Sequence, residues 1–308
     1  MAYSPSDISV VLPVGTGSPQ AAAVVRTLVG ADPPPGEIVV VDDRVADDSL
    51  ADLPRTEGVR VIANDGGPGP AAARNAGARA ARGPLLLFVD ADVYVTPDIF
   101  ARLAATYGEG VDAVVGVEAE LGQGYNFASR YKNLWMRYTY LVLPHLVDLF
   151  YTSCASIRRE VFLAAGGFDE RYTRPSVEDT AFGRELASRG AQVVLDKSIE
   201  VEHRKAYAGL GEVLRTGFRR GVALARCIYR QGRRGGGNRT SVPTSYIWAL
   251  PLPTLFVFWA AWAAVEARVA AAGAAATLAA IYLLNIKWLA FLARRGVGTV
   301  LAGLTFLP

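Results

Sequence analysis

Cysteine is scarce: Cys154 and Cys227 are the only two in 308 residues. Two cysteines build no disulfide framework, and these lack metal-ligand spacing. A reducing compartment fits that usage. One-sided charge is missing too, with 32 Lys and Arg against 29 Asp and Glu for a net charge of +3. So small an excess gives no reason to expect nucleic acid as a partner. The start, Met1-Ala-Tyr-Ser-Pro-Ser-Asp7, lacks a basic region followed by an apolar core. It does not read as a signal peptide, and the beginning of the chain is expected to stay in the cytosol. A third glycine is absent as well. Gly15-Thr16-Gly17, with Asp42 ending the next apolar run, imitates a dinucleotide fingerprint, but Gln20 stands where the last glycine belongs. Pro13 and Pro19 also suit that turn poorly, so nicotinamide binding is set aside.

Apolar residues are plentiful. They make up 51% of the chain, and the mean hydropathy of +0.22 is high for a purely soluble protein. The excess lies late. The length suits one large domain with an appendage, or two modest domains. Leu85-Leu-Leu-Phe-Val89 runs straight into Asp90-Ala-Asp92, between Gly83-Pro84 and Thr96-Pro97. Such a run reads as a central strand buried on both faces. Strand geometry predicts Asp90 and Asp92 on one side. Carboxylates so placed repel each other unless a cation lies near. A hard divalent cation fits oxygen ligands and keeps positions open for substrate phosphates. A solvated strand end is the plainer alternative.

In chain order, Ile8–Val14 reads as a strand stopped at Pro13, and Ala21–Val29 as a short helix closed by Pro33-Pro-Pro-Gly36. Glu37–Val41 is a second buried strand ending in Asp42-Asp43, and Val59–Ile62 a third. The turn-rich loop 64–70 feeds a helix over Ala71–Arg82, whose alanines allow close packing. Alternating strands and helices predict an α/β domain with a mainly parallel sheet. Ligands then bind outside the carboxyl ends of the strands, where Pro13, Asp42, Asp43, Asp90 and Asp92 fall. A further strand is expected over Val111–Val117. The aromatic stretch Tyr125–Phe150 reads as partly helical, serving as core or as an acceptor wall. Glu178–Gly190 reads as a helix, with Asp179 at its start as a cap or as a functional acid. A short strand pair is expected to end in Val201-Glu-His203-Arg-Lys205, where a buried strand residue is the plainer alternative for His203.

Together these motifs resemble the family 2 inverting glycosyltransferases, which have the GT-A fold. The matching pieces are SVVLPV at 9–14, VVVDD at 39–43, GPAAARNAGARAARGPLLLFVDAD at 69–92, GGFDE at 166–170 and EDTAFGRELASRG at 178–190. They cover the first two-thirds of the chain in the family's order. The resemblance implies a UDP- or GDP-sugar donor and Mg2+ or Mn2+. It implies that Pro13 and Val14 border the nucleotide, that Asp42 and Asp43 contact base and ribose, and that Arg74 lies by the phosphates. It makes Asp90 and Asp92 the DxD pair, with Asp92 the more direct ligand, and Asp179 the catalytic base. His203 would complete the metal or diphosphate site, with Lys205 beside the leaving group. Departures exist. Gly15, Thr16 and Gly17 replace the aromatic, Asn and Glu that commonly follow the first strand, and Arg44 and Val45 replace small residues, so the base stays open. No QxxRW-like segment follows Asp179, which points to transfer of a single sugar, of hexosyl type, rather than processive synthesis.

The remainder of the chain reads as membrane-directed. Over Leu210–Arg230, Leu214, Phe218, Val222 and Ala225 recur near helical spacing, with Arg215, Arg219, Arg220, Arg226 and Arg230 between them. This predicts a basic amphipathic helix at a bilayer surface or, alternatively, one packed on the catalytic domain. Arg233–Arg239 reads as a basic linker. Tyr246–Val265 and Val269–Ile286 are candidate spans, either crossing as a hairpin or lying in the interface. Flanking Arg233, Arg234, Arg239, Lys287, Arg294 and Arg295 place both ends in the cytosol. The expected layout is a GT-A catalytic domain over 1–205, a juxtamembrane helix and linker over 206–240, and a hydrophobic helical hairpin over 241–308. The expected activity is sugar transfer at the cytoplasmic face of the cell membrane to a lipid or lipid-linked acceptor. A polyprenyl-phosphate glycosyltransferase and a catalytically inactive membrane scaffold are the alternatives.

Overall fold

The computed structural model describes residues 2–16, 18–46, 50–122, 124–231, 248 and 251–296. Gly17, the linker arginines Arg233, Arg234 and Arg239, and the end of the chain after Gly296 lie outside the described residues. The chain divides into two compact units, Met1–Ser241 and Val242–Pro308.

The first unit opens with β1 (Ile8–Gly15), α1 (Ala21–Val29), β2 (Glu37–Asp43), β3 (Val59–Ala63), α2 (Pro70–Ala80) and β4 (Leu85–Phe88). β1 pairs in parallel with both β2 and β4, and β2 with β3. There follow β5 (Val93–Val95), α3 (Ile99–Thr106), β6 (Ala113–Glu118), α4 (Phe127–Val142), β7 (Ala155–Arg158), α5 (Arg159–Ala164), α6 (Glu178–Ser188), β8 (Val193–His203) and α7 (Leu210–Gln231). One sheet of eight strands results, in the order β3-β2-β1-β4-β7-β6-β8-β5. β7 runs antiparallel to β4 and β6, and β5 antiparallel to β8. The sheet is therefore mixed, with its parallel part where the sequence predicts it.

The continuous apolar runs have a direct cause. Alternate residues of each strand enter separate cores on the two faces. Val11, Val39, Val41, Leu86 and Phe88 enter one, and Val10, Leu12, Val40, Leu85 and Leu87 the other. A sheet covered on both sides needs apolar residues at every position. α2 packs closely on β1 and β2 through Gly77, where a Cβ would lie 2.4 Å from Val11 Cγ1. Phe88, Phe150, Phe162, Phe168 and Phe182 form one aromatic cluster, with the Phe168 and Phe182 ring centroids 4.9 Å apart and the rings tilted. Each such burial contributes about 1.5–3 kcal/mol. The cluster ties the Gly166–Glu170 loop and α6 to the end of β4.

Two expectations are corrected. β4 ends at Phe88, so Asp90-Ala91-Asp92 is not strand but a turn into β5, closed by Val93 N–H donating to the Asp90 carbonyl at 3.0 Å. The two carboxylates consequently do not share a strand face. The expected strand pair after α6 is the single strand β8, which keeps pairing with β6 through a register shift between Val115 and Val117.

α7 packs one side on the first unit, burying Val213 and Cys227 in small apolar clusters with Leu210, Ala223 and Leu224. Its opposite side is open, with Leu214 63%, Phe218 74% and Tyr229 90% exposed.

The second unit holds α8 (Leu252–Trp262), α9 (Ala267–Leu284) and α10 (Ile286–Ala293). Gly273 lets α9 meet α8, since a Cβ there would lie 2.4 Å from the Trp259 ring. Among the described residues, α9 is long and apolar enough to cross a membrane, with 18 residues and a mean hydropathy of 1.6. α8, in the first expected span, has 11 described helical residues, fewer than the roughly 20 a crossing needs.

Candidate active site

A cleft of about 710 Å³ opens beyond the carboxyl ends of β1, β2 and β4. Pro13, Asp43, Arg74, Asp90, Asp92, Asp179, His203 and Lys205 all line it. These residues span most of the first unit in sequence, and the chain reversals at the strand ends bring them together. Val14 is absent from the lining because its side chain is fully buried in the core. Asp42 is also absent. Its Oδ1 accepts from Val45 N–H at 2.8 Å and shapes the turn after β2. Asp43 organises the neighbouring loop, accepting from Asn64 Nδ2 at 2.7 Å and from Gly69 N–H at 2.9 Å.

Arg74 rises from α2 and is 4% exposed. Its Nη2 donates to Asp90 Oδ1 at 2.6 Å and its Nη1 to Glu178 Oε1 at 3.2 Å. Its guanidinium lies over the Phe168 ring. Burial disfavours the Asp90 charge, but the Arg74 cation outweighs it and holds this carboxyl below the usual range. Ser153 Oγ donates to the other Asp90 oxygen at 3.2 Å.

Asp92 and His203 are neighbours because β5 and β8 pair Val93 with His203, and because Arg204 N–H donates to the Asp92 carbonyl at 2.8 Å. His203 Nε2 lies 3.3 Å from Asp92 Oδ1, and Nδ1 lies 3.0 Å from Glu118 Oε1. Glu118 is itself held by Tyr151 Oη at 2.8 Å and Asn133 Nδ2 at 3.2 Å. Burial acts against a charged imidazole, but hydrogen bonds to Asp92 and Glu118 prevail and push its pKa up to about 10, so a metal ion bound at Nε2 would first have to displace the proton there.

Asp179 lies in the first turn of α6. The helix begins at Glu178, so Asp179 is not the cap, and Glu178 instead accepts from Ser176 N–H at 2.8 Å. Asp179 Oδ1 accepts from Thr180 N–H at 2.6 Å. Burial, then the adjacent Glu178 carboxylate, push its pKa up to about 6. That value suits a base working near neutrality.

Several cleft residues escape the sequence reading. Tyr151 and Ser153 belong to no motif, nor does Glu118, which lies behind His203 rather than in the cleft. Arg220, read among the surface arginines of α7, turns into the cleft. Its signal was present: Arg220 stands seven residues from both Val213 and Cys227, on the side of α7 that packs inward.

Among the described residues, no three His, Cys, Asp or Glu side chains form a ready-made metal cage. The donors nevertheless fit a divalent cation that arrives with an anionic ligand, since Mg2+ and Mn2+ take few protein carboxylates beside substrate phosphates. Asp92 is 36% exposed toward the cleft, beside His203 Nε2. The Glu118 carboxylate behind Nδ1 is the kind of outer partner that orients a metal-binding imidazole.

The family profile described as Glycosyl transferase family 2 matches residues 9–164. No curated protein matches the sequence. Among solved structures, the chain is similar to a mannosyltransferase from Pyrobaculum calidifontis in complex with GDP-Man and Mn2+, at 22% identity and TM-score 0.58, covering 91% of this chain and 76% of that one. It is similar to S. aureus TarS at 21% identity and TM-score 0.50, over 65% of this chain and 36% of TarS. It is also similar to GalNAc-T7 with UDP, GalNAc and Mn2+, at 19% identity and TM-score 0.51, over 66% of this chain and 44% of that one. These likenesses establish the GT-A-like α/β fold.

Proposed function

This chain belongs to glycosyl transferase family 2, and from that premise we propose a metal-dependent, inverting hexosyltransferase that moves one sugar from a UDP- or GDP-sugar to a hydroxyl of a lipid or lipid-linked acceptor. The observation that carries this reading is the convergence of Arg74, Asp90, Asp92, Asp179 and His203 on one cleft. The GDP-Man and Mn2+ of one similar structure, and the UDP and Mn2+ of another, support the choice of donor and ion.

In this account the nucleotide lies along Pro13 and Asp43. Asp92 and His203 would hold Mg2+ or Mn2+, which when bound neutralises charge on the diphosphate leaving group. Asp90 keeps Arg74 aimed at the phosphates, and Lys205 adds a second cation there. Asp179 takes the proton from the acceptor hydroxyl as that oxygen attacks the anomeric carbon. Attack from the face opposite the nucleotide inverts the configuration, and no enzyme nucleophile is needed.

The acceptor half of the proposal rests on α7 and α9. The open side of α7 presents Leu214, Phe218 and Tyr229 beside Arg215, Arg219 and Arg226, an arrangement suited to an anionic bilayer at the cytoplasmic face of the cell membrane. The length and apolarity of α9 support attachment there. The test is donor turnover. The purified chain with Mn2+ should hydrolyse a UDP- or GDP-sugar slowly on its own, and faster when membrane lipid extract supplies acceptors. Absence of both activities with every donor would favour a catalytically inactive scaffold.

A further inference from the structure

Beside the cleft lies a small pocket of about 20 Å³. Lys132 of α4, Lys205 and Arg220 of α7 line it, together with Glu118, Tyr151 and His203. Tyr151, His203, Lys205 and Arg220 also line the cleft, so the two spaces are continuous. Of the residues read as donor-side, His203 and Lys205 border the small pocket, whereas Asp43, Arg74, Asp90 and Asp92 do not.

Beside His203, which Glu118 and Asp92 balance, three cations meet here with little to balance them. The pocket's one carboxylate, Glu118, is committed to His203 Nδ1, Tyr151 Oη and Asn133 Nδ2. Among the described residues, neither Lys132, Lys205 nor Arg220 has a carboxylate within ion-pair distance. Lys132 rests instead on the Trp135 ring, its Nζ 3.8 Å from the centroid. The strain of this arrangement is visible on Lys132, where burial, then the Arg220 charge, push the pKa down to about 8. Partly buried like charges are costly to hold without a counter-ion. A fold that keeps them has a site for an anion. The pocket has room for about one water-sized oxygen, so a tetrahedral oxyanion would seat one oxygen in it and rest the others at the mouth, on Arg220 and Lys205.

We propose that Lys132 and Arg220 form a phosphate subsite for the acceptor, next to the donor's diphosphate site with Lys205 between the two, and apart from the hydroxyl that Asp179 deprotonates. The inference rests on the glycosyltransferase reading and names the acceptor's class: a phosphate ester. A phosphate monoester carries about −1.5 to −2 charge near neutrality, enough to offset most of the local excess. Arg220 lies close enough to Asp179 to act on its charge. Phosphate held there would set the rest of the acceptor beside the base. Arg220 also shares α7 with the exposed stripe of Leu214 and Phe218, so a lipid-borne phosphate could reach the pocket while its chain stays in a bilayer.

The test is calorimetric titration of inorganic phosphate into the full chain in detergent, saturated with Mg2+ and whichever of UDP or GDP binds. Phosphate should bind this loaded protein. Lys132→Met, which keeps the stem on Trp135, and Arg220→Gln should each weaken phosphate at least tenfold and leave nucleotide affinity within twofold. Lys132→Met should also raise the Tm of the ligand-free protein, because it removes an uncompensated charge. Loss of phosphate binding once nucleotide is present, equal losses of nucleotide and phosphate in the variants, or unchanged phosphate affinity would each overturn the assignment. Asp92→Asn separates the two readings: it should weaken nucleotide with Mg2+ and leave phosphate binding to the nucleotide-free protein intact. Displacement of phosphate by dihexanoyl phosphatidic acid at tenfold lower concentration than by glycerol 3-phosphate would assign the subsite to a lipid-borne phosphate. Equal displacement would assign it to a soluble one.

Discussion

Asp179 is buried in the first turn of α6 beside Glu178, and this burial, with the neighbouring carboxylate, sets the pH dependence expected of the site. With a pKa near 6, Asp179 is protonated and useless as a base in acid, and ionised above neutrality. Under saturating donor, the transfer rate should therefore rise with pH through about 6 and then level off. Asp179→Asn should lower the rate on the order of 10²–10⁴-fold and abolish that inflection, with little change in donor affinity. The variant should also be slightly more stable than the parent at pH 8, where the buried carboxylate is charged. The difference should vanish below about pH 4, where the carboxyl is protonated in both folded and unfolded chains. A denaturation series across pH checks it. At this scale the sequence was legible where motifs are contiguous. The Asp90-x-Asp92 pair and the Glu178-Asp179 pair announce themselves. Glu118 and Lys132 do not, because each gains meaning only from His203 or Arg220, which lie over eighty residues away in the chain. The strand argument for Asp90 and Asp92 rests on a geometry the fold does not have, since the turn after Phe88 and the β5–β8 pairing place them instead.

The elements that frame the cleft act through a few close contacts. Gly69 begins the turn into α2 with φ at +108°, and a Cβ there would lie 2.5 Å from the Thr173 carbonyl oxygen. Gly69→Ala should displace this turn, break its bond to Asp43 and weaken nucleotide binding more than it lowers Tm. Phe168→Ala acts otherwise. It empties the middle of the aromatic cluster and should cost about 3–5 kcal/mol of stability, read from a denaturant titration. α7 makes a third case. Replacing Leu214 and Phe218 together by Glu should remove binding to anionic vesicles in a sedimentation assay, while donor affinity is unchanged. The α/β alternation was readable because β1, β2 and β4 are unbroken apolar runs between turn residues. β7 was not, because Ala155-Ser-Ile-Arg158 is short and carries no period. β8 reads as two short strands because Asp196-Lys-Ser198 interrupts its apolar pattern in mid-strand. The amphipathy of α7 is legible in its sequence, but which side packs is not, since the inward stripe contains an arginine.

At the scale of the molecule, the motifs proposed to bind the donor all fall in the first unit and the apolar helices α8 to α10 in the second. A chain ending at Ser241 should stay more soluble than the full chain and bind nucleotide with metal equally well. It should lose most transfer to lipid extract while slow donor hydrolysis persists, as measured by released nucleotide and labelled lipid product in parallel. The central claim is that one cleft binds a nucleotide through a cation held by Asp92, while Asp179 serves the acceptor. The most direct measurement is calorimetric titration of UDP and of GDP, each with Mn2+, into the full chain, Asp92→Asn and Asp179→Asn. One nucleotide should bind the parent and Asp179→Asn alike and lose at least tenfold in affinity in Asp92→Asn, with the parent losing as much when Mn2+ is removed. Equal affinity in all three proteins, with and without Mn2+, would contradict the account.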